Sequence, residues 1–474
     1  MLKYAQQFQT PLDLAVPTQV LSYKLLSNAV SGISGPDELR RLNQIFPNRY
    51  PFLLQSTAYS DELGRYDILF AFPGDSLALE NISELVGKRA IPESTFLNAL
   101  DAWWLDERID PIKSHLPFHG GWFLYLGYEL AAEVEPSLHL HDDPLLPAAF
   151  AVRCPAALIY DHQKGSCVFL NENHCPKINS LLREDIAHLN SLIDTTKVEA
   201  VAISEDDPTQ YTSAIGSAKK YIEAGDIYQA NLSRQWTIQV APELDAEAIY
   251  QDLCTANPAP FAGIAHWKGT SIISSSPERL IRIKDGEVST RPIAGTRRRG
   301  DDEITDDELS SELFTHPKER AEHIMLIDLE RNDLGRVCVP GTVEVDEMMA
   351  LESYAHVHHI VSNVRGRLRT DVSPGTAIAA VFPGGTITGC PKVRCMQIIS
   401  ELELAPRGAY TGSFGFLNRD GSLDLNILIR TMVKHGDEIT FRAGAGIVAD
   451  SDPRAELDEA RAKAEGMLRV FQDD

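Results

Sequence analysis

Short β-favouring runs recur through the first 190 residues, at 51–56, 65–72, 121–128 and 156–161, between segments punctuated by proline and glycine. Strands of six to eight residues have no stability singly, so they must be gathered into sheets. The C-terminal half alternates further strands with glycine-rich turns and several long helices. One helix is predicted from near Pro317 through KERAEHIMLIDLERND, another opens at Pro391 after PGGTITGC, and the last covers 453–471. Clustered strands with helices packed outside them make an α+β fold. No internal repeat or low-complexity tract interrupts the pattern.

A helix is predicted over 185–195, and the acidic stretch SEDDPTQ at 204–210 then reads as a connector. It divides the chain into regions 1–200 and 205–474. The same stretch starts the next helix. Asp206 or Asp207 can cap it, Pro208 suits its first turn, and Tyr211, Ile215, Ala218 and Ile222 share one face before Gly225 ends it. Lys and Arg number 44 against 68 Asp and Glu, a formal charge of −24. That balance excludes nucleic acid and anionic membranes as partners, since both require a basic surface. Seven scattered cysteines without a C-x-x-C pattern read as reduced thiols of a cytoplasmic protein. The most apolar stretch, about 13 residues from 120 to 132, is too short to span a bilayer.

Two segments repeat one device. Glu319 and Glu322 on one predicted helix, and Glu456 and Glu459 on another, are spaced to share a helical face. Brought together, the two helices would offer oxygen ligands to one hard cation such as Mg²⁺, although E-x-x-E is also an ordinary solvated face. Lys463, one turn after Glu459, adds a cation or a surface pair. PGGTITGCPK at 383–392 turns into a helix whose free N–H groups favour an anion, with Lys392 in support; a plain tight turn is the alternative. AGAGIV at 443–448 reads as a close backbone approach to a ligand, or as a close-packed strand. In the extended HVHH segment, His356 and His358 face one side and His359 the other, a poor single metal site. A lone histidine there remains suited to acid–base work.

Together these segments resemble the chorismate-utilising enzymes. The residues that carry the resemblance are YQANLSR (228–234), SSPERL (275–280), RPIAGTRRRG (291–300), ERAEHIMLIDLERNDLGRV (319–337), HHIVS (358–362), FPGGTITGCPKVR (382–394), AYTGSFGFL (409–417), DLNILIRT (424–431) and AGAGIVADSDP (443–453). Weaker matches are LLQS (53–56), RYD (65–67) and GGWFLYLGYEL (120–130). The resemblance implies a large two-lobed α/β sandwich with antiparallel sheets and outer helices, in which both regions form one body. It implies chorismate as substrate and Mg²⁺ as cofactor, with Glu322 and Glu459 as main ligands and Glu319 and Glu456 nearby. Gln229, Thr386, Tyr410, Arg430, Lys463 and the backbone of Gly444, Ala445 and Gly446 would bind substrate. Glu278 would be the general acid for the departing C4 hydroxyl, and His359 matches the family's active-site histidine. Ala294 and Thr296 occupy the catalytic PIAGT segment.

Three departures bear on the branch. Family members that add water resemble one another in a lysine where this chain has Gln229; a neutral amide favours ammonia over water. Ala294 stands where many aminodeoxychorismate synthases carry a nucleophilic lysine, and alanine is typical of anthranilate synthases. Conversely, PGGTITG, YTGSFGF and DLNILIRT look more like aminodeoxychorismate synthase, and NPAPFAG (257–263) lacks the apolar walls of the anthranilate synthases' tryptophan pocket. The expected reaction is therefore amination of chorismate to 4-amino-4-deoxychorismate by a lysine-less component I. The alternative is anthranilate synthase. No G-x-C-x-G elbow is present, so ammonia would come from a separate glutamine amidotransferase subunit.

Overall fold

Burial on both faces gives the β-favouring runs their place. The strand Gly121–Leu126 is buried at all of its positions: Phe123 faces a second sheet, and Trp122 packs edge-on against Trp103 of the helix Phe96–Glu107. A computed structural model of the chain describes residues 25–58, 64–91, 93–172, 176–189, 197–299, 302–353 and 357–472. Among the described residues the strands form two antiparallel sheets, of twelve and eleven strands. Their inner faces meet through aromatic rings. Phe52 of the larger sheet stacks on Phe123 of the smaller with centroids 4.0 Å apart, and Trp267 stacks on Phe150 at 4.2 Å. The fold is the expected α+β sandwich with helices outside.

Both sequence regions contribute to both sheets. Leu54 pairs with Gly263 in the larger sheet, and Leu126 pairs with Ser413 in the smaller. The runs predicted at 51–56, 65–72, 121–128 and 156–161 are the strands Phe52–Gln55, Tyr66–Ala71, Gly121–Leu126 and Ala156–Asp161. The helix Pro208–Glu223 begins as its sequence dictates: the Asp207 carboxylate accepts the Thr209 N–H at 2.8 Å. Tyr211, Ile215 and Ala218 are its buried face.

Two expectations fail. The helix placed at 185–195 is instead Pro176–His188, because Pro176 fixes its first turn; residues 190–196 lie outside the described residues. The connector at 204–210 is partly structured, since Ser204 and Glu205 end the strand Ala200–Glu205, which edges the larger sheet against Gln229–Val240.

Two adjacent strands, Gln229–Val240 and Glu438–Ile447, form the floor of the site. The helix Pro453–Leu468 packs on the latter, and the helix Pro317–Gly335 packs across Ile293–Arg298 and Val357–Arg367 of the smaller sheet.

Candidate active site

The turn after the strand Thr270–Ser276 carries Glu278 into the interior, where it is 4% exposed. Its carbonyl accepts the Ile427 N–H at 3.0 Å, and its carboxyl accepts the Ile293 N–H at 3.4 Å. Burial pushes this carboxyl up to about 8; the Thr386 hydroxyl and Ile293 N–H pull the other way, and Glu330 adds to the rise. It therefore holds its proton at neutral pH. Thr386, in the turn Gly385–Ile387, stands beside it without an aligned hydrogen bond.

His359 lies on the strand Val357–Arg367, opposite Thr296, while Ala294 pairs with Ile360. The side chains of Ala294 and Thr296 lie outside the described structure. Burial pushes His359 down to about 3, and the charge of Arg430 adds to this against the Gly295 backbone, so its imidazole is neutral. Arg430 itself has a left-handed φ of +52°, held by the Ser275 N–H on its carbonyl at 3.0 Å. Backbone of this kind costs roughly 1–3 kcal/mol and collects at functional sites. Thr411, with φ +64°, is likewise held by its N–H on the Leu428 carbonyl at 2.8 Å, which ties the Tyr410 loop to the segment bearing Arg430.

A second group gathers on the glycine strand. Gln229 Nε2 donates to Glu322 Oε1 at 2.8 Å, directly over Gly446. A Cβ on Gly446 would lie 2.3 Å from that amide nitrogen, so only glycine admits it. Two residues back, the Gly444 carbonyl accepts from Lys463 Nζ at 3.1 Å, and the same ammonium pairs with Glu459 at 2.8 Å. Ala445 turns its methyl into the core. Glu322 and Glu459 thus flank one strand from two helices. Carboxylate oxygens are the donor type that a hard cation takes.

The four glutamates do not converge. Among the described residues no three His, Cys, Asp or Glu side chains stand together as a metal site. Glu319 is drawn to Arg297 at 3.2 Å, and Glu456 is buried near Tyr211, whose phenol is raised chiefly by burial with a smaller contribution from Glu456. Lys392 is spent internally as well: it bonds Asp333 at 2.5 Å and the Val381 carbonyl at 3.0 Å, so it does not await an anion. His358 bonds Asp306 at 2.9 Å, and His356 lies outside the described residues.

Two groups escape motif reading. Arg407 clamps the loops from below, bonding Glu403 at 2.7 Å, the Asn231 carbonyl at 2.7 Å and the Ile387 carbonyl at 3.2 Å, with the Tyr410 ring 5.7 Å away. Glu403 is also paired with Arg442 at 3.2 Å. Burial opposes ionisation of Glu403, but the two guanidiniums hold it below the usual carboxylate range. The i,i+4 spacing of Glu403 and Arg407 was the available signal, yet that spacing is ordinary on any helix end. The other group is Glu330 with Asp333, inside the helical segment 319–337, whose motif singles out Glu319 and Glu322 and not these two.

The family model for chorismate binding enzyme matches residues 68–469. The chain belongs to the chorismate-binding enzymes. It is 44% identical over 374 residues to an anthranilate synthase component I-like protein of Synechocystis sp., covering 76% of this chain and 74% of that protein. Aminodeoxychorismate synthase component 1 of Bacillus subtilis is 38% identical over 392 residues, with 79% and 82% covered. The solved anthranilate synthase component I of Streptococcus pneumoniae superposes with a TM-score of 0.77 at 29% identity, covering 85% and 92%. Anthranilate synthase names outnumber aminodeoxychorismate synthase names among these relatives. This chorismate-binding enzyme is thus one of the anthranilate synthase and aminodeoxychorismate synthase group. Among its described residues, no helix is long and apolar enough to cross a membrane.

Proposed function

We propose that the enzyme aminates chorismate with ammonia from a separate glutamine amidotransferase subunit and releases 4-amino-4-deoxychorismate. The observation that carries the amination is Gln229. It is 3% exposed, its amide N–H is engaged by Glu322, and a neutral amide has no basicity with which to activate water. Ammonia brings its own lone pair and needs no such base.

Glu278 gives its proton to the C4 hydroxyl as that oxygen departs, which avoids expelling hydroxide. Ammonia adds at C2 as the C4–O bond breaks, giving 2-amino-2-deoxyisochorismate without a covalent enzyme adduct, since Ala294 offers no nucleophile. A second ammonia then enters at C4 and displaces the C2 amine. His359, held down to about 3 by burial and by Arg430, offers the substrate an uncharged imidazole as a hydrogen-bond partner, and the amine displaced from C2 leaves as ammonia. Arg430, Tyr410, Lys463, Thr386 and the Gly444 to Gly446 backbone hold the two substrate carboxylates, and Thr296 lies on the catalytic strand. Glu322 and Glu459 would hold Mg²⁺, with Glu319 and Glu456 farther out, and the ion would supply positive charge to the ring carboxylate.

Support for this product comes from PGGTITG, YTGSFGF and DLNILIRT and from the 38% identical Bacillus subtilis relative. Gly263 adds to it: a Cβ there would meet the Leu53 carbonyl and the Phe414 ring at 2.8 Å, leaving no space for an apolar pocket wall. The second reading, anthranilate synthase, is favoured by Ala294 and by the names of most relatives. The deciding assay incubates the enzyme with chorismate, Mg²⁺ and ammonium and resolves the products by chromatography. A product that added aminodeoxychorismate lyase converts to p-aminobenzoate is expected; anthranilate with pyruvate would overturn the assignment, and isochorismate would overturn the role given to Gln229.

A further inference from the structure

Behind Glu278 lies a second buried carboxyl that the mechanism does not use. Glu330, on the inner face of the helix Pro317–Gly335, is 6% exposed. The turn Gly385–Ile387 is sandwiched between the two acids: a Cβ on Gly385 would lie 3.3 Å from Glu330 Oε1, while the next residue, Thr386, stands beside Glu278. The Gly385 N–H and the Thr290 hydroxyl serve Glu330 as Ile293 and Thr386 serve Glu278. Neither Thr290 Oγ1 nor Thr386 Oγ1 has an aligned hydrogen bond, so each can turn as its neighbouring carboxyl gains or loses a proton.

We propose that Glu330 is a positioning residue for the general acid: it braces the turn that carries Thr386 and, through its charge, keeps the proton on Glu278. This rests on the acid role given to Glu278 above. The charged groups facing Glu330 are Asp333 one turn along its own helix, Lys392 from the helix Lys392–Leu402, and Glu278 across the turn, with Arg336 acting on Asp333. Burial first, then Asp333, raises Glu330 to about 7, and Lys392 opposes this. As pH rises through that value Glu330 becomes an anion. A like charge nearby then holds Glu278 protonated to higher pH than burial alone would.

The test is the pH profile of chorismate turnover with ammonium in the intact chain for the wild type, E330Q and E330D, with thermal melts to verify folding. E330Q keeps the shape and an acceptor but loses the charge; its alkaline limb is expected to move down by about half a pH unit, roughly a threefold lower relative rate on the falling limb. E330D retains the charge and keeps the wild-type limb. A uniform loss of turnover in both variants, with the limb unmoved, would reduce Glu330 to a structural role and overturn the inference. E278Q separates the two layers: if it keeps wild-type turnover the acid assignment itself fails, whereas an inactive E278Q with an unmoved E330Q limb refutes Glu330 alone.

Discussion

Replacing Glu278 by glutamine tests the chemistry and the electrostatics at one position. The amide is isosteric and preserves an acceptor for the Ile293 N–H, so packing is retained while the proton is removed. At about 8, Glu278 is protonated roughly ten to one at pH 7, whereas an ordinary carboxyl at 4.5 would be protonated about once in three hundred. Losing a placed general acid lowers turnover about 10²- to 10⁴-fold. The same shift predicts a stability effect. A folded value raised above the unfolded one means that the acid's contribution is fully present below about 4.5 and is lost as pH climbs through 8. Between those limits the wild type loses up to about 4 kcal/mol relative to E278Q. Urea unfolding of both proteins at pH 5 and pH 8, beside the chorismate assay, reads both effects. Turnover within threefold of wild type, or parallel pH dependence of the two midpoints, would refute the reasoning.

Gly446→Ala is expected to abolish or sharply lower turnover, because its methyl would occupy the space of the Gln229 amide; wild-type kinetics would remove Gln229 and Glu322 from the site. Arg407→Met leaves Glu403 buried with Arg442 as its remaining guanidinium, a loss of about 3 kcal/mol by chemical denaturation, and a change below 1 kcal/mol would mean that Arg442 and Ser233 suffice. His359, held near 3 when folded, contributes stability that is present above about 6.5 and lost as pH falls toward 3. His359→Gln should therefore flatten the acid limb of stability between pH 6.5 and 4.5 by about 2–3 kcal/mol, and an unchanged limb would show the imidazole charging freely.

The fold was legible where local physics decides. Asp207 and Pro208 start a helix by themselves, and the run at 156–161 is a strand because every residue of Ala156–Asp161 is buried. At 185–195 the apolar spacing fits a helix, but Pro176, nine residues earlier, fixes where the turn begins, and spacing alone does not reveal phase. The site was legible as a set of segments and less so as contacts. The glycine at 446 announced a close approach, yet what approaches is Gln229 from 217 positions earlier in the chain. The paired glutamates share helical faces as their spacing requires. Two of the partners come from elsewhere, Arg297 for Glu319 and Gln229 for Glu322, while Lys463 meets Glu459 from one turn along the same helix. A helical period specifies which side a carboxylate leaves by and reveals a donor on the same helix, but says nothing of one that arrives from another element.

Those partners also resolve how a chain of charge −24 can receive a dianion. Formal charge counts every carboxyl equally, whereas the field in a cleft depends on which remain uncompensated there. Glu278 is neutralised by its own proton, and Glu403 and Asp333 each face a cation within 3.2 Å or less. Glu322 accepts a hydrogen bond from the Gln229 amide, and Glu459 accepts from the Lys463 ammonium, which offsets its charge. Arg430 stands close enough to His359 to help keep that ring neutral, which means its own positive field reaches into the site. On the proposed function, the residues assigned to substrate would thus present protonated, paired or cationic groups to an incoming carboxylate despite the acidity of the whole chain.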